Sequence, residues 1–303
     1  MASNGKQTRP WVYTLNRGLA QLVPLSFGYW LSVPISDIFY LLWRRKRETA
    51  RRNQARILGR RLDDPIVERM AHRTFRQFGR YIVELLSVQG WSLEAMSDRI
   101  DIEGGEHFAE ATAHGKGVIF TGAHMGSIEV ASALVLLKGF QISSVAEQLN
   151  PKMMMDWLTA CRAQMGVELL PAAGAGMTLV RRLRRGGMVA LVVDMGVTGG
   201  DGVTVEFLGH ETVFPAGPAR LARISGAPII FGWAARLRRG RYLAHVSPPI
   251  LSDRGLSPEE DARQVTRRIV AEFEQAVRRY PEQWYVFREM WLDGKQESVS
   301  AAR

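Results

Sequence analysis

The stretch that most constrains the fold runs from Gly117 to Gln148 and has the pattern of a strand, a turn, a helix and a second strand. The short apolar run Val118–Gly122 is typical of a buried strand. His124 follows in the turn, Ser127–Leu137 has the composition of a helix, and Gln141–Ala146 predicts the next strand. The unit therefore predicts an α/β protein with a histidine just after the end of a strand.

The histidine has an acidic neighbour in the predicted helix. Glu129 follows His124 with four residues between them, which places it in the first turn. We expect its carboxylate to turn back onto the imidazole, fix the tautomer and stabilise the protonated ring, as a general base toward a hydroxyl requires. Taken alone, the same pair is more typical of a structural histidine at a helix entry that a nearby acid caps.

Strand and helix patterns alternate after this unit. Further strands are predicted over Val167–Leu170 and Met188–Val193, with helices over Pro151–Met165 and Gly176–Arg185. This alternation predicts a mainly parallel central sheet flanked by helices on both faces. Sites in such sheets gather at the carboxyl ends of strands. His124, Glu147 and Asp194 each follow a strand pattern, so we expect them to converge.

Charge and hydropathy set the N-terminal part apart. The net charge is +10, and Arg44 to Arg61 contain nine Lys or Arg and one acid, whereas Gly18 to Ser36 contain no charged residue. We interpret 10–43 as broken helices in the membrane interface, with a membrane span or a core hairpin as alternatives. An apolar segment beside a basic run is typical of a two-signal anchor for anionic lipid, although the run could also be a solvated helix face.

These patterns predict two parts and a class of partner. Residues 1–61 are expected to be a membrane-associating segment and residues 62–303 an α/β domain. The expected partner of the basic run is an anionic membrane surface. No nucleic-acid-binding motif accompanies the charge, so a nucleic-acid partner is not expected.

Other features suggest parts of a substrate site. Met153, Met154 and Met155 begin a predicted helix, where methionines pack in a core or line a deformable slot for an acyl chain. Gly217 opens another predicted helix, whose free backbone N–H groups could hold an anion or a developing oxyanion. The single cysteine, Cys161, is expected to be a buried thiol, and a cysteine-based metal site is not expected.

The segments also follow the order of a known enzyme family. His124 to Glu129 fits an H-x4-D/E signature. It is followed by Val145–Pro151, Arg162 before Gly166, Gly202–Gly209, Phe214–Ala222 and Pro281–Trp284. In this order the chain resembles the glycerolipid and lipid A acyltransferases over nearly its whole length. It is most similar to the lipid A (lauroyl/myristoyl) branch and to the phosphatidylinositol mannoside acyltransferases.

The resemblance implies a mechanism and a set of substrate contacts. His124 would be the base and Glu129 its partner, while the alcohol of a lipid headgroup attacks an acyl thioester. Acyl-CoA or acyl carrier protein would supply the acyl group, and no metal or other cofactor is implied. Glu147, Arg162 and Glu206 match positions of the mannoside-acylating branch, which implies contacts with substrate. Separately, the uncharged segment 18–36 beside the basic run predicts a peripheral enzyme, and we expect it at the cytoplasmic face of the cell membrane.

Three functions are open on the sequence: a glycolipid O-acyltransferase, a lysophospholipid acyltransferase, and an inactive lipid-binding protein. The lysophosphatidic acid enzymes carry F-P-E-G-T-R where this chain has Phe214-Pro215-Ala216-Gly217-Pro218-Ala219. The glutamate, threonine and arginine of that motif are missing at these positions. A glycerol-phosphate acceptor is therefore disfavoured, and a glycolipid headgroup is the favoured acceptor.

Overall fold

The strands form one large sheet and one separate hairpin in the computed structural model, which describes residues 24–87, 91–146, 152–172, 174–194 and 202–291. The strands of the described residues are β1 Ile100–Glu103, β2 Val118–Gly122, β3 Ile142–Ala146, β4 Val167–Pro171, β5 Met188–Val192, β6 Gly202–Phe207, β7 His210–Pro215, β8 Ile229–Arg236 and β9 Tyr242–Val246. The large sheet has the order β1-β9-β8-β2-β5-β3-β4, and β6 pairs with β7.

The large sheet is mainly parallel. Its neighbouring strands pair in parallel except for β8 and β9, which form an antiparallel pair around the turn Arg238–Gly240. The predicted fold class is therefore confirmed. Because the strands from β8 to β4 in this order share one direction, their carboxyl ends lie along one edge of the sheet.

Helices cover both faces of this sheet, because successive strand side chains point to opposite sides. Ile119 belongs to the core cluster under α8, α9 and α10, whereas its neighbour Val118 belongs to the cluster under α5 and α6. The helices of the described residues are α1 Leu25–Leu42, α2 Arg44–Leu58, α3 Pro65–Ser87, α4 Leu93–Ser97, α5 Gly105–Ala113, α6 Ile128–Leu137, α7 Lys152–Gln164, α8 Gly176–Arg184, α9 Gly217–Ser225 and α10 Pro258–Arg279.

Helix α1 packs on α3 through small residues. A Cβ on Gly28 would overlap Val83, and one on Gly79 would overlap the Ser36 hydroxyl, so the two helices approach closely only because both positions are glycine. Ser32 is buried in the same contact. The large apolar side chains of α1 point outward instead, including Phe27, Trp30, Leu31, Ile35, Ile38 and Phe39. This is the reverse of a helix in a water-soluble core.

The expectation of broken helices over 10–43 is wrong for the part that the structure describes. Residues 10–23 lie outside the described residues, and Leu25–Leu42 is one continuous helix that contains Pro34. Pro34 lies on the exposed side, where its missing N–H costs one helical hydrogen bond without breaking the helix. By length and composition this helix could cross a membrane, and within the described residues it is the one helix that meets that test.

Helix α2 holds the C-terminal segment 281–290 against the fold. The side-chain amide of Asn53 donates to the Val286 carbonyl at 2.7 Å, and that of Gln54 donates to the Pro281 carbonyl at 2.7 Å. Both side chains are buried, so these hydrogen bonds are shielded from water. The basic helix therefore has a structural role, because it fixes a segment that reaches the site described next.

Candidate active site

The site lies where the neighbouring parallel strands β2 and β5 end. Gly122 and Val192 are register partners at the ends of these strands. His124 and Asp194 each come two residues later, so they emerge side by side at the carboxyl edge of the sheet. The expected convergence of these two residues is confirmed. Glu147, the third residue expected there, lies outside the described residues.

Asp194 fixes both the ring and the backbone of His124. Its Oδ1 lies 2.8 Å from Nδ1 of His124, and its Oδ2 accepts a hydrogen bond from the His124 backbone N–H at 2.7 Å. The same Oδ2 accepts the indole N–H of Trp284 at 3.0 Å. The Arg288 guanidinium donates to the Asp194 backbone carbonyl. Asp194 is fully buried, so this carboxylate is held in one orientation.

These contacts determine the protonation state of the pair. Burial alone would lower the pKa of His124, but the charge and hydrogen bond of Asp194 outweigh it and hold that pKa above the ordinary histidine value. Burial alone would raise the pKa of Asp194, but the charge and hydrogen bonds of His124 hold it below the usual range. In the neutral ring, Nδ1–H donates to the carboxylate and Nε2 keeps a free lone pair. The ring can therefore accept a proton at Nε2.

Glu129 lies in the first turn of α6, as the sequence predicted, but its carboxylate does not contact the His124 ring. Its carboxylate is 2% exposed and pairs with Arg162, with Oε1 3.3 Å from the guanidinium. Asp194 occupies Nδ1 of His124, so the predicted orientation of the ring by Glu129 is wrong. The cause is the chain path, because Gly126 adopts a left-handed φ of 61° before α6 begins at Ile128. The Glu129–Arg162 pair is a second element of the site, since Arg162 lies close enough to lower the pKa of His124.

A cavity of about 460 Å³, here called the apolar cavity, opens at His124. It reaches from the ends of the central strands to their beginnings, since both Val192 and Met188 of β5 line it. At about 3.3 Å per strand residue, that distance is roughly 13 Å. Among its described lining residues, Arg162 is the only charged side chain besides the titratable His124. Most of its wall is apolar and comes from Phe78, Ile82, Leu85, Ile128, Ala131 and Val135.

The predicted acyl pocket is placed differently. The side chains of Met153 and Met154 lie outside the described residues, and Met155 does not line the apolar cavity. From helix α7, Leu158 and Arg162 reach the cavity instead. The described part of the cavity is formed mainly by α3, α6 and the central strands, and the role of Met155 in acyl binding stays a prediction. Cys161, on the same helix, is 3% exposed, as predicted for a structural thiol.

Two further predicted substrate residues lie around the hairpin β6–β7. Glu206 is exposed and faces Glu211 across the hairpin, while its neighbours Val205 and Phe207 point into the core. Glu206 is absent from the described lining of the apolar cavity. Gly217 is the first residue of α9, two positions after Pro215, which does line that cavity. The structure thus brings Gly217 near the site and directs Glu206 toward solvent.

Residues of the C-terminal segment complete the site and were not predicted. Besides the contacts of Trp284 and Arg288 with Asp194, the Tyr285 backbone N–H donates to the His124 carbonyl at 2.8 Å. The Gly126 N–H donates to the Gln283 carbonyl at 3.0 Å. The segment therefore clamps the histidine turn from both sides. The aromatic run 284–291 was the available signal, because buried tryptophans seek a hydrogen-bond partner for the indole N–H.

The arrangement suits acid–base chemistry at an apolar pocket. Among the described residues, no group of three or more His, Cys, Asp or Glu side chains is placed to hold a metal ion. A base that a buried carboxylate orients can deprotonate a hydroxyl group. A cavity with a mainly apolar wall can bury the apolar part of a ligand.

Comparison with known proteins identifies the family. The model of the bacterial lipid A biosynthesis acyltransferases matches residues 7–293. The chain belongs to this family. It is therefore an acyltransferase of lipid biosynthesis, and the resemblance read from the sequence motifs is confirmed.

Named relatives of this acyltransferase come from three bacteria. It is 27% identical to a phosphatidylinositol mannoside acyltransferase of Mycobacterium tuberculosis (strain CDC 1551 / Oshkosh) over 263 residues, 84% of this chain and 80% of the relative. It is 24% identical to a phosphatidylinositol mannoside acyltransferase of Mycolicibacterium smegmatis, over 81% of this chain and 79% of the relative. It is 26% identical to a lipid A biosynthesis acyltransferase of Haemophilus influenzae, over 64% of this chain and 59% of the relative.

Proposed function

We propose that this acyltransferase moves a fatty acyl group from a thioester to a hydroxyl group of a glycolipid headgroup, with His124 as general base. The observation that carries the proposal is the His124–Asp194 pair at the opening of the apolar cavity. A hydroxyl is a weak nucleophile at neutral pH, and a positioned base contributes a factor of about 10² to 10⁴. The pair supplies such a base, and the cavity accommodates the chain.

The reaction proceeds by direct attack. As the acceptor oxygen bonds to the thioester carbonyl carbon, its proton passes to Nε2 of His124. The tetrahedral intermediate then collapses, the carbon–sulfur bond breaks, and the leaving thiolate takes the proton from His124. Asp194 orients the ring and stabilises its protonated form in between. Arg162, which Glu129 holds in the cavity wall, is placed to stabilise the negative charge on the carbonyl oxygen.

The acceptor class is inferred from the relatives and from a missing motif. Relatives with the longest matches are named for acylating phosphatidylinositol mannosides, and one is named for lipid A biosynthesis. Both acceptors are glycolipids, whereas the F-P-E-G-T-R motif of the lysophosphatidic acid enzymes is absent here. Glu147 and Glu206 of this chain match positions of the mannoside-acylating branch, and we keep them as proposed contacts with the acceptor. A lysophospholipid acceptor is the alternative.

Both thioester donors fit this mechanism. Acyl-CoA and acyl carrier protein present the same acyl thioester, and the apolar cavity contacts the chain that they share. No cofactor is needed, because the base and the charged groups of the reaction come from the chain itself.

We further propose that the enzyme lies on the cytoplasmic face of the cell membrane. The outward apolar side of α1 would enter the lipid, while its other side stays on α3. A span is disfavoured because Asp37, in the second half of α1, pairs with Arg76 at 2.7 Å and contacts His72 at 2.7 Å. In a span these polar groups would lie within the hydrocarbon layer, which is costly.

Fewer unpaired positive charges of the basic run are available for membrane binding than its sequence suggests. Arg51 pairs with Glu68 at 2.7 Å, and Arg52 pairs with Glu289 at 3.0 Å, so their charge is partly neutralised. Arg44 and Arg45 are exposed directly after α1 and have no ion pair within the described residues. Attraction to anionic lipid is therefore expected to come mainly from the Arg44 end of α2.

Charge reversal tests this location. The double variant Arg44→Glu/Arg45→Glu should bind anionic vesicles at least about tenfold more weakly, since each basic residue contributes roughly 1 kcal/mol near such a surface. Arg184→Glu/Arg185→Glu, at exposed positions at the end of α8, changes the net charge equally and should bind like the wild type. Equal binding by all three proteins in a vesicle co-sedimentation assay would refute the proposed membrane face.

Acceptor identity is the test of the proposed function. Purified enzyme should transfer radiolabelled acyl groups from acyl-CoA or acyl carrier protein to phosphatidylinositol mannosides or lipid A precursors. His124→Ala should abolish the transfer, whereas His114→Ala, at an exposed histidine of the same chain, should leave it unchanged. Transfer to lysophospholipids but to none of the glycolipids would favour the alternative acceptor.

A further inference from the structure

A second cavity, here called the arginine cavity, lies on another side of α3 and shares no described lining residue with the apolar cavity. It measures about 840 Å³. Gln77 and Arg80 of α3 line it, whereas Phe78 and Tyr81 of the same helix line the apolar cavity. The N-terminal turns of α1, the end of β8 and the segment 280–283 form the remaining walls. Gln283 also contacts the histidine turn through its backbone carbonyl, and the mechanism proposed above uses none of the other lining residues.

Arginines dominate the polar lining of this cavity. Four of them reach it: Arg80, Arg99, Arg236 and Arg238. Glu282 is the only carboxylate among the described lining residues. Since the buried Glu84 neutralises Arg236, the other three arginines set against Glu282 leave a charge of +2. The described lining residues therefore give the cavity a net positive charge.

The arginines differ in what holds them. Arg236 is 7% exposed, and it donates to Glu84 at 2.6 Å and to the Gln77 side-chain oxygen at 2.7 Å. Arg99 stacks on Trp91, with its guanidinium carbon 4.6 Å from the ring centre. These two cations are already positioned by the fold. They form a fixed wall rather than flexible surface charges.

Arg80 and Arg238 have no ion pair or side-chain hydrogen bond within the described residues. Arg80 is half-buried, and its Nε is shielded from solvent without a hydrogen-bond partner. A shielded guanidinium N–H without a partner is costly, and such groups are rare in folded proteins. Arg238 is exposed at the edge of the same cavity. The two groups thus offer unused donors to a ligand that enters from solvent.

We propose that the arginine cavity binds a phosphate group of a phosphorylated ligand. Guanidinium groups match phosphate oxygens with paired, charge-assisted hydrogen bonds. The cavity is large enough for a headgroup. One of its walls is formed by Leu25, Ser26 and Tyr29 of α1. Phe27 and Trp30, on the same turns of α1, are 50% and 67% exposed. A lipid could therefore place its phosphate in the cavity and its acyl chains along the apolar side of α1.

Two sources can supply this phosphate: the headgroup of an anionic lipid, or the nucleotide part of an acyl-CoA donor. Soluble probes separate the cavity from the basic surface at Arg44. The probes are dihexanoyl phosphatidylglycerol below its micelle concentration, coenzyme A, and inorganic phosphate. Dissociation constants are measured by calorimetry at fixed ionic strength on the full chain.

The test variant is Arg80→Gln/Arg238→Gln, because neither side chain has an ion pair with another described residue. Two lost charge-assisted contacts should weaken binding of the recognised probe at least about tenfold. Arg184→Gln/Arg185→Gln removes the same charge at the end of α8 and should bind within about twofold of the wild type. His124→Ala should also bind normally, so this result does not depend on the proposed function. Circular dichroism and thermal unfolding check that the double variant is folded. The single variant Arg238→Gln changes only an exposed residue, so it tests the cavity without altering the half-buried Arg80.

The pattern of loss identifies the source. A loss confined to the short-chain lipid assigns the cavity to a membrane headgroup, and a loss confined to coenzyme A assigns it to the donor. A loss seen with inorganic phosphate as well supports recognition of the phosphate group itself. The proposal is overturned if no probe binds the wild type, or if every probe binds the folded double variant as tightly as the wild type.

Discussion

Replacement of Asp194 by asparagine changes one atom and removes the charge that orients His124. The three groups that bond its carboxylate are all N–H donors: the His124 ring, the His124 backbone and the Trp284 indole. Oδ2 accepts two of them and Oδ1 accepts one. An asparagine therefore keeps more hydrogen bonds with its oxygen at the Oδ2 position and its NH₂ group toward Nδ1.

That orientation reverses the tautomer of the histidine. Nδ1 must then accept a hydrogen bond from the amide, and the ring proton moves to Nε2, where the base needs a lone pair. We expect a loss of roughly 10³ to 10⁴ in the transfer rate. At about 1.36 kcal/mol for each factor of ten, this is about 4 to 5.5 kcal/mol of transition-state stabilisation.

Two measurements on one protein test this expectation. Initial rates with a saturating acyl donor give the loss, and ¹⁵N shifts of labelled histidine show which ring nitrogen carries the proton. Glu129→Gln is the matched control, because its carboxylate contacts Arg162. It should lower the rate and leave the His124 tautomer as in the wild type. A rate within tenfold of the wild type in Asp194→Asn, or a changed tautomer in Glu129→Gln, would refute the reasoning.

The remaining predictions concern chain length, pH and stability. Val135→Trp fills the deep end of the apolar cavity and should shift donor preference to shorter chains, whereas Leu137→Trp, which does not line it, should leave the chain-length profile unchanged. The transfer rate should rise with pH through the pKa of His124, which lies above the ordinary value near 6.5, because only the neutral ring accepts a proton. Glu84→Ala leaves Arg236 buried and uncompensated and should lower the free energy of unfolding by about 3–5 kcal/mol in denaturant titrations. A loss below about 1 kcal/mol would contradict that role of the pair.

The strand pattern made the edge of the site predictable. His124 and Asp194 could be brought together from sequence because each follows an apolar run, and parallel strands end on the same side of a sheet. The order of β2 and β5 was not needed for that inference. Their direct contact does depend on it, since the two strands are neighbours with Gly122 opposite Val192.

The partner of the histidine could not be predicted in the same way. Glu129 was favoured because it is close in sequence, whereas the side chain that contacts the ring is 70 residues away. The left-handed turn at Gly126 changes the direction of the chain before α6, and its effect on Glu129 depends on where Arg162 lies. Trp284 is more distant still, so its hydrogen bond to Asp194 needed the complete fold.

Charge along the chain was misleading for a related reason. The basic run of α2 predicts a solvated or membrane-facing patch, yet Arg51 and Arg52 are paired with Glu68 and Glu289 from other parts of the chain. Pairing across the fold leaves no local signature in the run itself. Similarly, the prediction of broken helices over 10–43 fails in the described part, because Pro34 lies on the outer side of α1 and allows the helix to continue.

The central claim is that His124 activates the acceptor for direct attack on the thioester. It is tested most directly by a single-turnover reaction, quenched in time and analysed by mass spectrometry for both acylated acceptor and acylated protein. With donor alone the wild type should carry no acyl group. With a glycolipid acceptor it should form product at a rate that His124→Ala lowers by at least about 10². Acylated protein at stoichiometric yield with donor alone, or an undiminished rate in His124→Ala, would contradict the account.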